Sequence, residues 1–74
     1  MEEAFMGLSS WRLTWREDFD RVVLSMSTRE RAVLQRSRLS TISGRRAFAS
    51  ASNRLHFDVV QSTYLMEQAD RAFA

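Results

Sequence analysis

The side chains with the most evident chemistry are arginines. Between Ser27 and Phe48 the chain places Arg29, Arg31, Arg36, Arg38, Arg45 and Arg46 against one acid, Glu30, and no lysine. A guanidinium presents a planar fork of donors that can meet two phosphate oxygens at once, so such a block suits a polyanion. The acids that would neutralise it at i,i+4 spacing on a helix are missing. Charge is segregated along the chain: net −2 over residues 1–28, +6 over 29–54 and −2 over 55–74, within a total of +2. A local field of this kind attracts anions more than the total charge does. Ser37 and Ser40, set among the arginines, add hydroxyls able to donate to phosphate oxygens. The competing reading is a solvated basic face that serves solubility.

Other chemistry has little to draw on. The chain has no cysteine and a single histidine, His56, which argues against thiolate or histidine-rich metal sites and against a nucleophile–base pair. Glu17, Asp18 and Asp20 lack a companion histidine and read as a solvated helix face. Trp11, Trp15 and Phe19 are spaced as core or dimer interface rather than as a base-stacking platform. Met6, Met26 and Met66 read as gap-filling core, and Arg16 as a partner of Asp20. No catalytic residue, metal, cofactor or small-molecule substrate is expected.

The elements that must position the arginines are helices. With no proline and two glycines, and a surplus of good helix formers, the sequence predicts an all-α fold. A first helix is expected over about 2–25, where Phe5, Leu8, Trp15, Phe19, Val22 and Met26 recur on alternating three- and four-residue steps with Arg12 as the one polar interruption. Ser27 and Glu30 form a capping-box pair that starts a second helix at Thr28. The short connection predicts an antiparallel hairpin. The second helix is expected over 28–42, with Ala32, Leu39 and Ile42 inward, and a kink or break at Thr41-Ile42-Ser43-Gly44. A third is expected over about 46–73, carried by Phe48, Ser52, Leu55, Val59, Ser62, Met66, Ala69 and Phe73.

On that reading Arg31, Arg38 and Arg45 form one stripe, about 10 Å from one to the next, and Arg29 and Arg36 a second. A chain of 74 residues buries only a marginal core by itself. A single helical domain over 1–74 is therefore expected to pair as a homodimeric bundle, doubling the rows into a basic track. No apolar run is long enough for a membrane span or a signal peptide, so a cytoplasmic protein without a membrane partner is expected.

"STRERAVL", Ser27 to Leu34, resembles the first helix of LuxR-type regulator domains. The turn and recognition helix of such a domain do not follow in register: Gly44 is trailed by Arg45-Arg46, and Phe48-Ala-Ser-Ala reads as packing. Double-stranded RNA, read through its shallow minor groove and phosphate ridges, is therefore the expected partner, ahead of DNA. In size, helical layout and central basic segment the chain resembles the small dimeric RNA-silencing suppressors of nodaviruses. That resemblance implies a viral protein of the host cytoplasm that coats double-stranded RNA and shields it from Dicer-type cleavage. The alternatives are a DNA-binding phage or plasmid regulator, and a helical chaperone or inhibitor docking on an acidic partner.

Overall fold

Four helices make up the described part of the chain in a computed structural model, which describes residues 14–73. They are α1 (Trp15–Ser25), α2 (Thr28–Ser37), α3 (Ile42–Arg54) and α4 (Val59–Ala72). Phe5, Met6, Leu8, Trp11 and Arg12, which the sequence assigns to the start of the first helix, lie outside the described residues.

Helix α1 buries the face its spacing predicts. Val22 and Met26 are buried, with Trp15 and Phe19 half-buried beside them. Glu17 and Asp18 sit in its first turn, where the helix dipole favours anions. Two extended residues, Met26 and Ser27, then redirect the chain. Ser27 Oγ accepts from the Glu30 amide at 3.1 Å, and the Ser27 amide donates to Glu30 Oε1 at 2.9 Å. The capping box thus sets the start of α2 where the sequence placed it.

Helix α2 ends at Ser37, short of the expected 42. Arg38 adopts φ 61° and ψ 169°, a region that otherwise belongs to glycine. The cause lies at Thr41, whose hydroxyl donates to the Arg38 carbonyl at 2.9 Å and accepts from the Gly44 amide at 3.2 Å. Thr41 is therefore the N-cap of α3, and the break spans 38–41. Gly44 does not cause it: this residue lies inside the first turn of α3, buried against the Arg38 carbonyl. Ile42, expected to face inward, is exposed.

The helix expected over 46–73 is two helices. Its period runs on through Leu55-His56-Phe57-Asp58, but the backbone does not. His56 takes φ 65°, its amide donates to the Asn53 carbonyl at 3.0 Å, and the Phe57 amide donates to the Ser52 carbonyl at 3.1 Å. This is a Schellman closure with histidine in the place glycine usually holds. Asp58 then caps α4 in a second capping box, accepting from the Gln61 amide at 2.8 Å while its own amide donates to Gln61 Oε1 at 3.3 Å.

Phe48, fully buried, stands at the centre of a core with Val22, Met26, Leu39, Ala51, Leu65, Met66 and Ala69. Phe19 stacks on Phe48 at 5.2 Å between ring centres, with Phe73 at 5.8 Å on Phe19. The most extensively packed pair is α2 with α3, while α1 lies against α3 and α4. The 26–27 connection therefore does not yield the antiparallel α1–α2 neighbours that its shortness suggests. Glu30, at the start of α2, holds Arg54, at the end of α3, so it is α2 and α3 that run antiparallel.

Candidate nucleic-acid interface

The arginines divide into those the fold uses and those it leaves to solvent. Arg31 Nε donates to the Val23 carbonyl at 3.1 Å, and its Nη2 to the Leu24 carbonyl at 3.0 Å. It thereby partners the Leu24 carbonyl at the end of α1 and adds a second donor to the Val23 carbonyl, which also accepts from the Met26 amide at 3.1 Å. Arg54 forks onto Glu30 at 3.0 and 2.7 Å and reaches the Ser25 carbonyl at 3.4 Å. That fork, helped by the Ser27 amide, holds the Glu30 carboxyl well below its ordinary range, at about 2. Arg45 is half-buried, with Nη1 3.4 Å from the Leu39 carbonyl. Arg16 stacks over Trp15 at 5.0 Å instead of pairing with Asp20.

Arg29, Arg36, Arg38 and Arg46 are exposed, and their guanidiniums have no hydrogen bond or ion pair with the described residues. Three of them gather around the α2–α3 turn: Arg36 in the last turn of α2, Arg38 at its C-cap, and Arg46 early in α3. Ser40 is exposed in the same turn, and Ser37 is half-buried at the end of α2. No acid lies in the first turn of α3, so helix dipole and guanidinium charge act in the same sense there. Arg29 stands two turns before Arg36 on the same face of α2, about 10 Å away. The heptad stripe Arg31–Arg38–Arg45 does not exist as one row, because the helix that would carry it ends at Ser37 and two of the three guanidiniums contact carbonyls.

The sequence reading missed the α3–turn–α4 unit. Two helices joined by four residues, Leu55 to Asp58, meet through small side chains. Ser52 and Ser62 are both buried, with their hydroxyls 2.8 Å apart. Ser52 Oγ also donates to the Ala49 carbonyl at 3.0 Å, so the proton between the two hydroxyls belongs to Ser62. Ala51 below them is fully buried. An open cleft of about 460 Å³ separates the outward sides of the two helices, and Ser50, Asn53, Asp58, Val59 and Thr63 are among its walls. At the start of α4, Val59 is 80% and Val60 68% exposed. The signal that marks this unit in the sequence is Asp58-Val-Val-Gln61, a capping box as clear as the one at Ser27.

A second, larger hollow of about 600 Å³ lies between α1, α2 and α4, walled mainly by Phe19, Val23, Leu34, Leu39, Ala69 and Phe73. Among the described residues no group of three or more histidines and acids is placed to hold a metal ion. No helix among them is long and apolar enough to cross a membrane. No protein-family model, no curated protein and no solved structure matches the chain.

Proposed function

We propose that this protein binds duplex DNA, with α3 and α4 acting as a helix-turn-helix. The observation that carries the reading is the α3–turn–α4 unit itself. Two helices are joined by a short turn with one left-handed residue and locked by a small-on-small contact, and the second leaves its opening turns exposed. In such units the second helix enters the major groove while the first crosses the phosphate backbone. The charge distribution suits this division of labour. The free arginines 36, 38 and 46 gather where the first helix begins, and α4 has no basic side chain before Arg71.

Duplex RNA suits this surface less well. Its deep, narrow major groove does not admit a helix, and the long straight arginine rows that favoured RNA are interrupted at Arg38. The test is fluorescence anisotropy with duplex DNA, duplex RNA and single strands over a salt series. With Arg29, Arg36, Arg38 and Arg46 each neutralising one phosphate, log K should fall with log[salt] with a slope of about −4 for one copy, and about twice that if two copies bind. Preference for duplex DNA supports the reading. Equal or tighter binding to duplex RNA would restore the backbone-only alternative, and no binding at low salt would point to an acidic protein partner.

A further inference from the structure

On the reading that α3 and α4 form a DNA-binding helix-turn-helix, we infer that Val59, Val60 and Thr63 recognise the 5-methyl groups of thymine in the major groove, giving the protein A·T-containing target sites. Base contacts in such units come from the opening turns of the second helix. There α4 offers Val59, Val60 and Thr63, followed by Glu67, all within an arc of about 100° on the helix surface. Side chains that usually read guanine are absent, since the only basic residue on α4 is Arg71 in its last turn. Gln61, the one amide in the first turn, is occupied in the capping box with Asp58. What the first turn itself offers the groove is the methyl groups of Val59 and Val60, with the Thr63 methyl and hydroxyl one turn on.

Two β-branched apolar side chains at 80% and 68% exposure on a helix start are costly to hydrate unless something covers them. On the floor of the major groove the apolar group available to do so is the thymine C5 methyl. The guanidiniums for the phosphates are at the α2–α3 turn, at the other end of α3, while the start of α4 carries Asp58 and no cation, so what this face offers a duplex is contact with base edges. Asn53 lies in the same cleft as Val59 and Thr63, exposed and with no side-chain hydrogen bond to the described residues. A free carboxamide is the side chain that pairs with adenine N6 and N7, the bases opposite thymine.

The experiment uses the whole chain and a site selected from a random duplex library. The selected duplex is compared with the same duplex made with uracil in place of every thymine. Uracil keeps the hydrogen-bonding edges and the phosphates and removes only the methyls. Affinity is expected to drop about fourfold for each methyl covered, hence roughly tenfold or more for two. The V59A/V60A double variant should lose a similar factor on thymine DNA and almost nothing further on uracil DNA. Equal affinity for the two duplexes, with binding retained, overturns this inference alone. Absence of duplex-DNA binding at any salt overturns the parent reading together with it.

Discussion

Gly44 gives the sharpest test of the fold, because two lines of reasoning predict opposite signs. Considered only as a glycine in a helix, Gly44→Ala should stabilise the protein by about 1 kcal/mol. The structure says otherwise. A Cβ built at Gly44 would overlap the Arg38 carbonyl oxygen and stand 2.6 Å from its carbon and 3.4 Å from the Arg38 nitrogen. The first of those carbon distances is roughly 1 Å short of an ordinary contact. The obstructing atoms are backbone and cannot rotate away. They are also held in place, since the Arg38 carbonyl accepts from the Thr41 hydroxyl at 2.9 Å and the Thr41 amide at 3.3 Å.

Relief would require the α2–α3 turn to shift or the first turn of α3 to unwind. Overpacking of this kind costs about 1–3 kcal/mol, and each turn hydrogen bond lost adds about 1 kcal/mol. Set against the gain in helix propensity, the net loss is about 2 kcal/mol, a fall in Tm of about 8–16 °C for a domain of this size. Thermal unfolding followed by far-ultraviolet circular dichroism measures it. Ala49→Gly, at an exposed position of the same helix, reports the propensity effect separately and should cost about 1 kcal/mol. A Gly44→Ala protein as stable as the parent, or more so, would refute the close approach of α3 to the turn.

Five further substitutions test the contacts described above. Ser52→Ala should destabilise by about 1–3 kcal/mol, because it strands the buried Ser62 hydroxyl; the S52A/S62A double variant should lose clearly less than the sum, which urea melts in a double-mutant cycle will show. Glu30 has a folded-state value near 2 against an ordinary 4.5, so its contribution is complete above about pH 5 and disappears as pH falls towards 2; the pair is partly solvated, so Glu30→Gln should flatten the pH dependence of stability there by about 1 kcal/mol at most. Arg31→Ala should lower stability by about 1 kcal/mol through the lost α1 carbonyl bonds. Arg46→Ala should leave the melt unchanged and reduce the salt slope of DNA binding by about 1. Arg38→Gly should raise stability by about 1–3 kcal/mol by relieving its backbone and weaken DNA binding, two changes of opposite sign in two assays.

Where a side-chain signature is local and complete, the sequence is legible. Ser27 and Glu30 announce the start of α2, and the spacing of Trp15, Phe19, Val22 and Met26 marks the buried face of α1. Asp58 and Gln61 carry the same kind of signal, yet the spacing of Phe48, Ser52, Leu55, Val59 and Ser62 remains nearly helical across the turn and hides it. Glycine would have advertised the breaks at 38–41 and 55–58. Instead the described residues with positive φ are Arg38 and His56, and neither type points to a turn. Ile42 and Val59 mislead for a related reason. Apolar side chains are assigned to a core by default, although here they occupy the first turns of α3 and α4 and face solvent. Arg31 and Arg54 could not be separated from the free arginines, because their partners are distant in the sequence or are backbone carbonyls.

The two left-handed residues also bear on what α3 is for. Each side of this helix is closed by a conformation that glycine would adopt without strain, and each is filled by a side chain that carries or can carry positive charge. A fold selected for stability alone would have glycine at both positions, since the strain is of the order of 1 kcal/mol or more at each. At Arg38 the exception has a counterpart in the binding proposal. The strained backbone ends α2 and places a free guanidinium beside the capped start of α3, where phosphate is expected. His56 has no such counterpart: it is exposed and points to no described partner, and the Schellman bonds around it need only a positive φ. Replacing His56 with glycine should therefore stabilise the fold and leave DNA affinity unchanged, while Arg38→Gly stabilises and weakens binding. Only an outward role for Arg38 separates the two, and identical binding by both variants would remove that residue from the interface.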